Sequence, residues 1–162
     1  MATSSATDLW DTIALEAGRE SPLWSAALRP PGERELEPVF SPLGEERFAL
    51  GLETIYEAYL LHYGRSRLFE PADGDTSLLL GDYLYAHGLV RVAALDAVAA
   101  VADLGELISL CAQLRGERAA GDGAAWAATA AHLGNGRLDE ARAAAGDEAV
   151  ARALAAHARR VG

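Results

Sequence analysis

Apolar and polar positions alternate with the period of a helix through most of the chain. Phe48, Leu52, Ile55, Tyr59 and Tyr63 recur at spacings of three or four, and Tyr56 and Leu60 widen the stripe. This predicts a first long helix over residues 44–63, with Gly64 as its C-cap. A second helix is expected from near Asp75, carrying Leu78 to Val92. A third, over about 95–118, places Ala97, Val101, Leu104, Ile108, Cys111 and Leu114 together, with Leu107 and Leu110 alongside. That breadth predicts a central helix touched on several sides, while Asp96, Asp103, Glu106, Gln113 and Glu117 keep one face polar. Gly121 to Gly123 reads as a turn. Two alanine-rich helices are expected over 124–133 and 138–159, joined by Gly134-Asn135-Gly136.

Residues 1–44 read differently, as an irregular arm with short helical pieces. Asp8 to Ala17 puts Leu9, Trp10, Ile13 and Ala14 on one side of a helix. Ser21-Pro22 and Ser41-Pro42 each have the form of an N-cap followed by proline at the first helical position. Arg29-Pro30-Pro31-Gly32 breaks the chain between them. The expected organisation is an arm over 1–44 and a helical domain over 45–162. Short connections between long helices imply antiparallel neighbours, so the predicted fold is an all-α antiparallel bundle.

Composition narrows the function classes. The chain has 162 residues, 51% of them hydrophobic, enough for one domain with a core. Its net charge of −10 argues against nucleic acid, which is bound by clustered cations that displace counterions. Fourteen arginines and no lysine carry the positive charge, so no lysine forms a Schiff base or grips a phosphate. Cys111 is the only cysteine, which excludes an intrachain disulfide and fits a reducing, cytoplasmic setting. Met1 to Asp8 lacks the charged and apolar regions of a signal peptide. No run of about 18 apolar residues is long enough to span a bilayer.

Common catalytic constellations are missing from the sequence. There is no P-loop and no Gly-x-Ser-x-Gly elbow. His62, His87, His132 and His157 lack the i, i+4 pairing of a helical zinc site. Asp103 and Glu106 lie three apart, which reads as a solvated helix face. Trp126, Leu133-Gly134 and Asp139-Glu140-Ala141 have the flavour of one tetratricopeptide repeat, but a solenoid needs about three copies. No catalytic residue, metal ligand or cofactor site is assigned.

One stretch carries a family pattern. Glu53-Thr54-Ile55-Tyr56-Glu57-Ala58-Tyr59-Leu60-Leu61-His62, then a loop, then Leu78-Leu79-Leu80-Gly81-Asp82-Tyr83-Leu84-Tyr85-Ala86 resembles consecutive helices of the trans-prenyl diphosphate synthases. Gly105 to Leu114 is similar to the family's next long helix, so the resemblance covers about residues 48–118. Those enzymes are all-α and join isopentenyl diphosphate to an allylic diphosphate with Mg²⁺ held by aspartates. Where their first two aspartates follow the histidine, this chain has Tyr63-Gly64. The second aspartate-rich helix of the pattern would fall beyond residue 162.

The resemblance therefore implies a truncated isoprenoid-synthase-like chain, similar to the non-catalytic small subunits of two-component hexaprenyl and heptaprenyl diphosphate synthases. By that analogy a catalytic partner holds the Mg²⁺. Tyr56, Tyr59, Leu60 and Tyr63 would line the product tunnel, and Leu78, Leu79, Asp82, Tyr83 and Tyr85 would form the partner interface. Arg65 and Arg67 are candidate diphosphate contacts, weighed against plain solvent-exposed arginines. The rival readings are a freestanding relative binding an isoprenoid or other apolar ligand, and a helical adaptor, with self-association an alternative to a catalytic partner.

Overall fold

Among the residues that the computed structural model describes, 2–134 and 148–161, seven α-helices and three short 3-10 turns make up the secondary structure. The helices are α1 (Ala2–Glu20), α2 (Pro22–Ala27), α3 (Ala49–Tyr63), α4 (Gly74–Ala93), α5 (Val98–Gly116), α6 (Asp122–Ala131) and α7 (Glu148–Val161). No strand occurs among the described residues; Leu28 and Phe69 form one isolated bridge. The fold is all-α, as the periodicity predicts. No described helix is long and apolar enough to cross a membrane. The start of the helix expected over 138–159 lies outside the described residues, as does the Asp139-Glu140-Ala141 element.

Local chemistry sets several boundaries. Ser21 caps α2, its Oγ accepting from the Leu23 N–H at 3.1 Å, and Pro22 occupies the first turn. Asp73 caps α4 by accepting from the Thr76 N–H at 2.7 Å. The helix expected from residue 44 begins instead at Ala49, after a 3-10 turn over Glu46–Phe48. α1 is longer than the expected Asp8–Ala17 segment.

The central helix is α3, not the segment 95–118. Every residue from Gly51 to Leu61 is buried. On one side Leu52, Ile55, Tyr56, Tyr59 and Leu60 join Phe40, Phe48, Leu104, Leu107, Trp126 and the alanines of α6 and α7. On the other side Ala58 and Leu61 meet Trp10, Ile13, Ala17, Ala27, Leu68, Phe69, Leu80 and Leu84. The arm thus supplies part of the second core. α5 buries one face only, through Ala100, Leu104, Leu107 and Cys111. The periodicity misplaced the centre because Glu53 and Glu57 count as polar in any pattern, yet both lie inside.

α3 and α4 approach closely because glycines remove the side chains between them. A Cβ on Gly88 would lie 2.4 Å from Ile55 Cγ1, and one on Gly81 would lie 2.7 Å from His62 Cδ2. Val92 covers Gly51 in the same seam, so the two helices pass each other in opposite directions. This gives Gly81 of the Leu-Leu-x-Gly-Asp-Tyr-Leu run a packing role. Gly88→Ala is expected to destabilise the chain by about 1–3 kcal/mol through overpacking. A thermal melt checks this, since each kcal/mol at this chain length lowers Tm by about 2–4 °C.

Candidate functional site

Three arrangements of chemical groups surround α3. The first is a fully buried ion-pair cluster. Arg67 has no exposed surface. Its Nε donates to Glu57 Oε1 at 2.7 Å, and its Nη1 donates to Glu53 Oε2 at 2.6 Å and to the Glu37 carbonyl at 2.8 Å. The guanidinium also lies over the Trp10 and Tyr56 rings, 4.4 and 5.0 Å from their centroids. Glu57 accepts from the Ser66 hydroxyl and from the Arg67 and Leu68 N–H groups. Glu53 accepts from the Val39 N–H at 3.2 Å. The cluster ties the loop after α3 and the 37–39 segment to the central helix. Burial by itself lowers the pKa of Arg67, but Glu53 and Glu57 outweigh it and raise it, so the guanidinium is permanently charged.

The second arrangement is aromatic and polar together. Trp126 of α6 stacks on Phe40 at 5.5 Å and meets Tyr56 and Tyr59 edge-on at 5.1 and 5.8 Å. The Tyr56 hydroxyl lies 2.8 Å from His157 Nδ1. The Tyr59 hydroxyl donates to Asp122 and accepts from Arg115 Nη2 at 2.7 Å. Arg115 also pairs with Asp122 at 2.7 Å. Burial raises the pKa of both tyrosines, and Asp122 raises that of Tyr59 further, so both are phenols. Burial pushes the Cys111 thiol up to about 12, which leaves it unreactive. Asp122 is held below the usual carboxylate range. Burial opposes this, but the Tyr59 and Arg115 contacts prevail.

The third is the outer face of α4. Leu78, Leu79 and Val90 are 49%, 57% and 63% exposed, and Ala86 and Ala93 lie on the same exposed side. Asp82 is exposed among them, with its Oδ1 3.2 Å from His62 Nε2. The His62 ring stacks on Tyr85 at 5.2 Å. Tyr83 is half-buried, between Trp24 and His87.

The residues singled out by sequence divide accordingly. Leu78, Leu79 and Asp82 are at the surface, with Tyr83 and Tyr85 half-buried beside them. Tyr56, Tyr59 and Leu60 are closed core side chains, and Tyr63 is half-buried under Arg115. Arg65 is exposed and pairs with Glu35 at 2.7 Å. Arg67 is corrected outright: it is neither a solvated arginine nor in reach of a diphosphate, because two carboxylates neutralise it inside the core. Asp103 is also more than a solvated face, since its Oδ2 accepts from the Gly134 N–H at 2.9 Å. Tyr63 and Gly64 do not replace a pair of Mg²⁺-binding carboxylates, since burial holds the Tyr63 phenol protonated and glycine has no side-chain ligand.

Sequence reasoning missed Arg115, Asp122 and His157. Each is separated from its tyrosine partner by tens of residues, and no local signal marks the pairing. Glu53 and Glu57 did carry one: two acids, i and i+4, inside an apolar stripe need a buried cation. No family model matches this chain, and no curated protein or solved structure matches it.

Proposed function

We propose that the chain is a non-catalytic helical subunit that pairs with a catalytic trans-prenyl diphosphate synthase and influences its activity or product length. The observation that carries this reading is the outer face of α4. Leu78, Leu79 and Val90 stand exposed around the small residues Ala86 and Ala93, on the helix that holds the Leu-Leu-x-Gly-Asp-Tyr-Leu run. A helix face of this kind suits burial against another helix, with alanines admitting the partner's side chains.

The positions that match the synthase pattern support a structural role. Glu53 is spent on Arg67, His62 packs on Gly81 beside Asp82, and Tyr63 stands under Arg115. The mechanism is templating: the partner supplies Mg²⁺ and cationic grip, and this chain completes its surface. With Tyr56, Tyr59 and Leu60 packed internally, Tyr63 and the α4 face are the groups of the pattern left to meet the partner.

Co-expression with the catalytic synthases of the same host, followed by co-purification and an assay with isopentenyl and farnesyl diphosphates, tests this. The expected result is a complex whose activity or product length depends on this chain. Leu79→Arg with Val90→Arg is expected to abolish the complex while leaving the circular dichroism spectrum unchanged. Synthases that are fully active alone and never co-purify would reject the reading.

A further inference from the structure

We propose that α7 is a latch on the aromatic core, released when His157 takes up a proton. The argument starts from how little apolar surface α7 contributes. Its fully buried residues are Ala153, Ala156, His157 and Arg160, with Val150, Leu154 and Val161 partly covered. Alanine removes only one methyl from water, so its burial stabilises docking weakly. Two of the four buried side chains are ionisable, and polar contacts therefore hold a large share of the docking.

His157 sits at the centre of that contact. Its Nδ1 meets the Tyr56 hydroxyl at 2.8 Å, and its ring lies among Phe40, Tyr59 and Tyr56 at 5.5, 5.6 and 5.9 Å. Its other edge presses on Gly123, where a Cβ would stand 2.9 Å from Cδ2. The groups that face it are Tyr56 and Tyr59 of α3, Asp122 of α6 and Arg115 of α5. Asp122 favours a proton on His157, but its carboxylate already serves Arg115 and Tyr59. Burial and Arg115 oppose the proton, and together they hold His157 below its ordinary 6.5.

The sign follows from linkage. The undocked imidazole binds a proton more readily than the docked one, so docking is fully stable above about pH 6.5 and weakens as pH falls through the docked value. The ion pair that α7 makes with Glu35 does not share this window. Arg160 pairs with Glu35 at 2.9 Å. Burial raises the Glu35 pKa, but Arg160 and Arg65 outweigh it, so Glu35 stays ionised below the usual glutamate range. Release would uncover the Phe40, Tyr56 and Trp126 rings while α3 and α4 stay packed through their glycine seam.

Hydrogen exchange of the full chain at pH 7.5 and 5.5, corrected for the intrinsic rate, tests the latch. Amides of Glu148–Val161 are expected to exchange faster at the lower pH, by up to about tenfold per pH unit. Those of α3 and α4 are expected to keep their protection. His157→Asn retains an acceptor for Tyr56 and is expected to abolish the pH dependence. Equal α7 protection at both pH values would overturn the proposal, and so would loss of protection in α3 in step with α7. The wild-type comparison decides the matter even where the variant does not fold.

Discussion

Replacing Arg67 with methionine is expected to destabilise the chain by about 3–5 kcal/mol, the scale on which a broken buried ion pair acts. The size comes from what is left behind. Glu53 and Glu57 are both essentially inaccessible to solvent, and each would lose its charged donor. The Glu37 carbonyl would lose its donor as well, leaving the segment at 37–39 to the Val39 N–H bond with Glu53 and to the outer ion pairs of Glu37 with Arg159 and Arg160. Urea unfolding reads the effect as a lower midpoint with an unchanged slope. The triple change Arg67→Met, Glu53→Gln and Glu57→Gln is expected to recover much of the loss, because neutral amides remain acceptors for the Ser66 hydroxyl and the loop N–H groups. A single Arg67→Met variant within about 1 kcal/mol of wild type would show that the cluster is not ionised as described.

Trp126→Ala is the second large effect, expected at about 3–5 kcal/mol from lost transfer energy and the cavity that remains. Trp126 is 1% exposed and touches three other aromatic rings. It also joins three parts of the chain: α6, α3 and the segment carrying Phe40. Its neighbours on α6 are alanines, which have no side-chain freedom to refill the space. Chemical denaturation measures the cost, and near-ultraviolet circular dichroism reports the loss of fixed ring packing. Trp126→Phe, which keeps a ring against Phe40, is expected to cost less than half as much. Equal losses for the two substitutions would count against the stacking on Phe40 as the source of the stabilisation.

Both variants also bear on the proposed subunit role. Each disturbs the scaffold behind α4 without touching its outer face, whereas Leu79→Arg with Val90→Arg touches only that face. A complex lost in the surface variant and kept in a destabilised but folded core variant would locate the contact on α4.

The all-α fold was legible from residue spacing alone. Helix formation depends on neighbours three and four positions away, and those lie within any short window of sequence. The same holds for the cap at Ser21 and for Gly64 at the end of α3, where the donor and acceptor are a few residues apart. Leu78 and Leu79 are marked as interface candidates by the family resemblance alone; spacing does not separate them from the buried Leu80 beside them.

What the tertiary structure decided concerns pairings between distant residues. Arg65 and Arg67 look alike in sequence, yet one is exposed and the other has no exposed surface. Which arginine turns inward depends on Glu53 and Glu57 facing the loop, and that facing exists only after α1, α2 and α4 have packed around α3. Tyr56 and Tyr59 likewise read as candidate tunnel walls until α6 and α7 bring Trp126, Asp122 and His157 against them. Periodicity reports which side of a helix is apolar. It carries no information on how many neighbours will cover the remaining sides, and that number made α3 the centre of this protein.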